Sequence, residues 1–170
     1  MCLFPKAEYA STYEIPFGRL YRQGVRGVIF DIDNTLVLHD APADERSIAL
    51  FRSLGEIGLR SAIISNNEEP RVRLFAEAVG CDTYVYKAGK PDKAGYLKAA
   101  ELMALSADEV VFVGDQLFTD IWGANRAGIF SILVGALGPE IYFHITLKRI
   151  LEAPVRLAYK IFGRNNRLIT

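Results

Sequence analysis

The chain has 170 residues, 51% hydrophobic and 24% charged, with no net charge. That length and composition suit one domain with a full core and argue against disorder. Residues 139–170 hold six Lys/Arg against two Asp/Glu, so a basic C-terminal segment is attached to an acidic body.

Residues 1–24 mix aromatic and polar residues with Pro5 and Pro16, and read as an irregular lead-in wrapped on the domain. From Val25 onward strand and helix signals alternate, and residues 25–138 read as the core. The β-branched run Val25–Asp31 predicts a first strand. Residues 44–57 predict a helix with an apolar face of Ile48, Leu50, Phe51, Leu54 and Ile57, stopped by Gly58. Residues 60–64 predict a second strand. Residues 69–79 predict a helix ended by Gly80, and residues 83–86 a short third strand. A helix over 93–105 follows, with Ser106 placed to cap a turn. Residues 110–113 predict the fourth strand, 119–127 a helix, and 129–134 the fifth strand. Residues 141–163 predict a helix interrupted at Pro154. Strands alternating with helices give parallel pairing and right-handed crossovers. The expected fold is therefore α/β: an open, parallel, Rossmann-like sheet with helices on both faces.

Cys2 and Cys81 make no disulfide scaffold and fit a reducing compartment. The longest apolar stretch, 127–138, is too short to span a bilayer. The N-terminus lacks the basic flank and apolar run of a secretory signal. These features predict a cytoplasmic protein.

In open α/β sheets ligands bind beyond the carboxyl ends of the strands. The polar clusters gather at those ends. Asp31 and Asp33 follow strand one, Ser65, Asn66 and Asn67 follow strand two, and Lys90 lies after strand three. Gly114, Asp115 and Asp120 follow strand four. Carboxylates this close repel unless a cation joins them or one stays protonated. Mg²⁺ suits such a hard oxygen set, since it takes few carboxylates, keeps waters and bridges to phosphate. Ser65 and Lys90 supply the hydroxyl and point charge that the far side of a phosphate needs.

Other readings compete for each piece. Asp-x-Asp-x-Thr also makes polar turns, and Ser65-Asn66-Asn67 also starts a helix. A calcium loop would need Gly and Glu where Leu36 and Pro42 stand. His39 and His144 are isolated in sequence, which argues against zinc. No G-x-x-x-x-G-K loop occurs. The specificity lies in the ordered set.

That set resembles the haloacid dehalogenase-like phosphohydrolases. Their motifs correspond here to Asp31-Ile32-Asp33-Asn34-Thr35, to Ser65, to a lysine that is most simply Lys90, and to the acidic pair Asp115 and Asp120. Lys87 and Lys93 lie close enough in sequence to compete for the lysine role. The wording IFDIDNTL, ISNN, KAGKP and GDQLFTDIWGANRAG is similar to the YqeG-like subgroup, some of whose relatives are phosphatidylglycerophosphate phosphatases. The resemblance implies a phosphatase in which Asp31 is the nucleophile and carries an aspartyl-phosphate. Asp33 would be the acid and base. Asp31, the Asp33 backbone carbonyl, Asp115 and Asp120 would hold Mg²⁺, and Ser65, Asn66 and Lys90 the phosphoryl oxygens. Gln116 stands where many relatives carry a second acid, which raises the importance of Asp120. Dehalogenase chemistry, a runner-up, does not generally need this acidic set. The connections after the first motif and after the third strand leave no room for a separate cap domain, so the site is expected to be open.

In 139–170, apolar residues such as Leu147, Ile150, Leu151 and Leu157 alternate with Lys148, Arg149, Arg156 and Lys160. A basic amphipathic helix packs on its own domain or lies on an anionic membrane. The expected partner is a phosphorylated substrate, either lipid-borne, with peripheral contact at the inner membrane surface, or soluble. Nucleic acid is not expected, because the body is acidic. A phospho-accepting receiver-like switch is the reading from another class, but its acceptor Asp would follow strand three, where Tyr84–Tyr86 ends without one. A scaffold without catalysis is disfavoured because no catalytic position is missing.

Overall fold

The period-two and helical patterns fold as six parallel strands and five helices in a computed structural model that describes residues 3–138. The strands are β1 (Ala7–Tyr9), β2 (Gly27–Phe30), β3 (Arg60–Ile64), β4 (Tyr84–Val85), β5 (Val110–Gly114) and β6 (Phe130–Val134). Their order across the sheet is β1-β6-β5-β2-β3-β4, with every pair parallel. The helices are α1 (Phe17–Arg22), α2 (Glu45–Ile57), α3 (Glu69–Val79), α4 (Lys93–Leu102) and α5 (Trp122–Arg126). The five predicted strands are present, with ends displaced by at most two residues. The predicted helix over 141–163 lies outside the described residues. Among the described residues no helix is long and apolar enough to cross a membrane.

The lead-in departs from expectation. Instead of being irregular throughout, residues 1–24 contain β1, a 3₁₀ turn at Thr12–Glu14, and α1. β1 pairs its Ala7 with Ile132 and its Tyr9 with Val134. Three residues at a sheet edge are too few to show an alternation, so the pairing rests on tertiary contact. The helix predicted over 93–105 stops at Leu102, where Ala104 turns left-handed at φ 52°.

Alternation along the strands splits the core between the two faces of the sheet. Val28, Phe30, Ile63, Val111 and Val113 face α2 and α3; Phe30 lies 5.3 Å from Phe51 and 6.0 Å from Phe17 between ring centroids. Ile29, Ala62, Ile64 and Phe112 face α4 and α5, packed on Tyr96, Ala99 and Ala124. Helix ends follow local chemistry. Asp44 and Ser47 form a reciprocal capping box at the start of α2, and Gly58 and Gly80 end α2 and α3 in left-handed conformation.

The loop after β2 is fastened from two sides. Thr12, fully buried, donates its hydroxyl to the Thr35 carbonyl at 2.7 Å, and Tyr13 donates to the Leu36 carbonyl at 2.6 Å. Leu137 N–H donates to the Asn34 carbonyl at 3.0 Å. Asn34 itself is left-handed at φ 59°, which lets the chain turn back on itself between Asp33 and Val37. The near-isosteric Thr12→Val leaves the Thr35 carbonyl buried without this donor. It should cost about 1–3 kcal/mol in urea unfolding; an unchanged midpoint would show that Thr12 does not anchor the loop.

Candidate active site

β2 and β5 are neighbours from which the sheet winds in opposite directions, so their carboxyl ends open onto a crevice. The ladder runs one bond past β2, with Asp31 N–H donating to the Val113 carbonyl at 3.0 Å. This sets Asp31 beside Gly114 and Asp115. Asp120 returns to the same point through a wide π-helical turn, Leu117–Ile121. Its Oδ2 accepts the Gln116 N–H at 3.0 Å, closing the turn on itself. Gly114 is required here: a Cβ would sit 2.6 Å from the Asp120 carboxyl carbon. π-turns inside helices often mark functional sites.

Carboxylate oxygens of Asp31, Asp115 and Asp120 lie within 4.8 Å of one another, and all three residues are buried. The Lys90 ammonium enters from the loop after β4, 2.7 Å from Asp31 Oδ1 and 2.8 Å from Asp120 Oδ1. Thr35 Oγ1 donates to Asp115 Oδ1 at 3.3 Å. Burial pushes the Asp31 carboxyl up to about 7, with Lys90 pulling it down and Asp120 pushing it further up. Burial alone would lower the Lys90 ammonium, but the Asp120 and Asp31 charges outweigh it and hold it protonated.

Ser65 is buried at the tip of β3, and its Oγ accepts the Asn67 N–H at 3.2 Å. Asn66 pins the lysine loop: its Nδ2 donates to the Lys90 carbonyl at 3.2 Å and its Oδ1 accepts the Lys90 N–H at 2.8 Å. The structure separates the three neighbouring lysines. Lys90 is buried among the carboxylates, whereas Lys87 is exposed and pairs with Glu68 at 2.9 Å, and Lys93 is exposed.

Asp33 falls outside the group of Asp31, Asp115 and Asp120, and its expected metal contact is the backbone carbonyl rather than the side chain. Its Oδ2 accepts Asn67 Nδ2 at 2.6 Å; its Oδ1 accepts the Asp40 N–H at 3.0 Å and Arg71 Nη2 at 3.1 Å. His39, isolated in sequence, lies 4.0 Å from Asp33 and 3.4 Å from Asp40. Sequence reasoning missed Asn67 and Arg71 as partners of Asp33. Asn67 follows the Ser65 position, and Arg71 sits in the first turn of the next helix, so their spacing was the available signal.

Three buried carboxylates meet around the Lys90 ammonium, a hard, oxygen-rich set of the kind a divalent cation takes, so the residues fit Mg²⁺. A carboxyl raised from about 4 to about 7 opposes stability as pH climbs through that window and no further above it. In chelator-treated protein, Asp31→Asn should therefore raise the melting temperature, with a gain that grows from pH 4 to 7 and then levels off. A gain independent of pH would contradict the burial account.

A family model described as "Hydrolase: haloacid dehalogenase-like hydrolase" matches residues 38–128, starting just after Asp31-Ile32-Asp33. The Bacillus subtilis (strain 168) protein named "Probable phosphatase YqeG" is 39% identical over 154 residues, spanning 90% of this chain and 89% of that protein. "Phosphatidylglycerophosphate phosphatase 1, chloroplastic/mitochondrial" of Arabidopsis thaliana is 29% identical over 129 residues, covering 69% of this chain but 36% of that longer protein. Among solved structures, the cobalt-bound deoxy-D-mannose-octulosonate 8-phosphate phosphatase of Haemophilus influenzae shares the fold. Its TM-score is 0.53 at 16% identity, over 66% of this chain and 69% of that one. The chain belongs to the haloacid dehalogenase-like hydrolases and is a phosphatase of that family.

Proposed function

We propose that the protein is a Mg²⁺-dependent phosphomonoesterase that works through an aspartyl-phosphate on Asp31. The observation that carries this reading is the buried group of Asp31, Asp115, Asp120 and Lys90, with Asp33 set two residues away in a separate polar environment. An Asp31 carboxylate oxygen attacks phosphorus, and the bond from phosphorus to the leaving oxygen breaks. Asp33 gives that oxygen its proton. Asp33 then takes a proton from water, whose oxygen attacks phosphorus; the bond to Asp31 breaks and inorganic phosphate leaves. Ser65 and the Asn66 backbone N–H orient the phosphoryl oxygens, and Lys90 turns one N–H from its carboxylates toward them. Mg²⁺, held by Asp31, Asp115, Asp120 and the Asp33 carbonyl, would neutralise charge on the phosphoryl oxygens.

The substrate reading is a lipid-borne phosphate such as phosphatidylglycerophosphate. One support is the Arabidopsis relative of that name. Another is where the described chain ends: Leu137 bonds Asn34, and Gly138 lies so close to Leu38 that a Cβ there would meet its side chain at 2.5 Å. The described chain thus ends at the rim of the site, and the sequence that follows carries six Lys/Arg against two Asp/Glu, a composition suited to an anionic surface. Among the described residues, only 31–44 and 86–92 connect β2 to α2 and β4 to α4, too short for a cap domain, which suits a bulky substrate. A soluble phosphate ester remains the second reading, since an open site admits it equally.

Hydrolysis of p-nitrophenyl phosphate should require Mg²⁺, and Asp31→Asn should lower kcat by more than about a thousandfold. Metal-independent turnover, or an active Asp31→Asn enzyme, would reject the reaction. Asp33→Asn should slow an alkyl phosphate by roughly a hundredfold or more and the nitrophenyl ester much less, because nitrophenolate leaves without a proton. Equal slowing of both esters would remove Asp33 as the acid. For the substrate, phosphate release from phosphatidylglycerophosphate in anionic vesicles should exceed that of the Asp31→Asn control; release equal to that control would eliminate the lipid.

A further inference from the structure

This inference rests on the reaction proposed above. The group that protonates the leaving oxygen must touch it, so Asp33 marks the side from which the alcohol departs. Whatever the alcohol carries on its nearest carbons lies among the neighbours of Asp33. Among the described residues, the permanently charged cation beside Asp33 is Arg71, whose Nη2 is 3.1 Å from Asp33 Oδ1 and whose side chain is 22% exposed.

Asp33 does not depend on this arginine to satisfy its oxygens. Asn67 serves Oδ2 and the Asp40 N–H serves Oδ1. Nor is the guanidinium fully used. It has five N–H donors, and among the described residues it donates to Asp33 alone. Its Nε is closed off from solvent and has no hydrogen-bond partner. An incoming anion would meet the guanidinium through its Nη nitrogens, since the side chain is 22% exposed while Nε is closed off. The Phe75 ring, 5.7 Å from Cζ, supports the guanidinium from below. Lys90 cannot take this role, because Asp31 and Asp120 enclose it.

We propose that Arg71 determines substrate specificity by binding a second anionic group on the leaving alcohol. Under the substrate reading above, that group is a phosphodiester a few bonds from the scissile oxygen. A planar guanidinium grips two such oxygens at once, whereas a lysine supplies only a point charge. Nothing in this contact requires acyl chains: a phospholipid headgroup and its water-soluble counterpart present the same chemistry.

The test compares wild type, Arg71→Gln and Arg71→Lys on three esters with Mg²⁺. These are p-nitrophenyl phosphate, deacylated glycerophosphoglycerophosphate in solution, and phosphatidylglycerophosphate in vesicles. Melting curves verify that the variants fold. Arg71→Gln should lose at least about tenfold more kcat/KM on both phosphodiester-bearing substrates than on p-nitrophenyl phosphate, mainly through KM. Arg71→Lys should recover part of the loss. An equal loss on all three esters would reduce Arg71 to a positioning partner of Asp33 and overturn the proposal. A differential loss confined to vesicles would assign the contact to the membrane surface and also overturn it, as would a wild type active on p-nitrophenyl phosphate alone. A wild type that hydrolyses none of the three would instead refute the proposed reaction, and this proposal with it.

Discussion

Three carboxylates forced together in a buried crevice are the constraint around which the rest of the structure is arranged. Mutual repulsion and desolvation both oppose the placement, and Lys90 offsets only part of that cost. Several otherwise odd features serve to hold it. The chain bends through a π-turn to bring Asp120 back, glycine at 114 makes room for its carboxyl, and Asn66 clamps the backbone of the lysine loop. Tyr96, fully buried, donates its hydroxyl to the Thr119 carbonyl at 2.6 Å and so steadies the turn from beneath. The N-terminal segment contributes as well, since Thr12 and Tyr13 fasten the loop that carries Asp31.

Carboxyl groups two residues apart on one loop are given different surroundings. Asp31 lies in the dry cluster with an ammonium against it. Asp33 lies in a partly exposed setting, where an amide, a backbone N–H and a guanidinium meet it. Dividing the environments lets one carboxylate act as nucleophile and the other as proton carrier in the proposed reaction. It also gives each cation its own anion to meet, with Lys90 inside and Arg71 at the entrance.

Much of this could be read from the sequence because the strand-end rule depends on chain order alone. Asp31, Ser65 and Asp115 each directly follow an apolar run, so their convergence follows once the sheet is parallel. Lys90 could not be separated from Lys87 and Lys93 by spacing, since only the packed structure shows which lysine is buried. β1 has three residues, too few to show a period. The π-turn depends on the Asp120 carboxylate accepting a backbone N–H four residues earlier, an interaction that helical periodicity does not encode. Arg71 offered only its place in the first turn of the helix after Ser65: it reaches Asp33 across 38 positions of chain, a contact that spacing does not specify.

The described residues contain two groups of ligating side chains, Asp31 with Asp115 and Asp120, and Asp33 with His39 and Asp40. A crystal grown with Mn²⁺ as a stand-in for Mg²⁺, measured at the manganese absorption edge, distinguishes them directly. The account predicts an anomalous peak within coordination distance of the Asp31 and Asp115 carboxylates. A peak between Asp33, His39 and Asp40 with none beside Asp31 would contradict it.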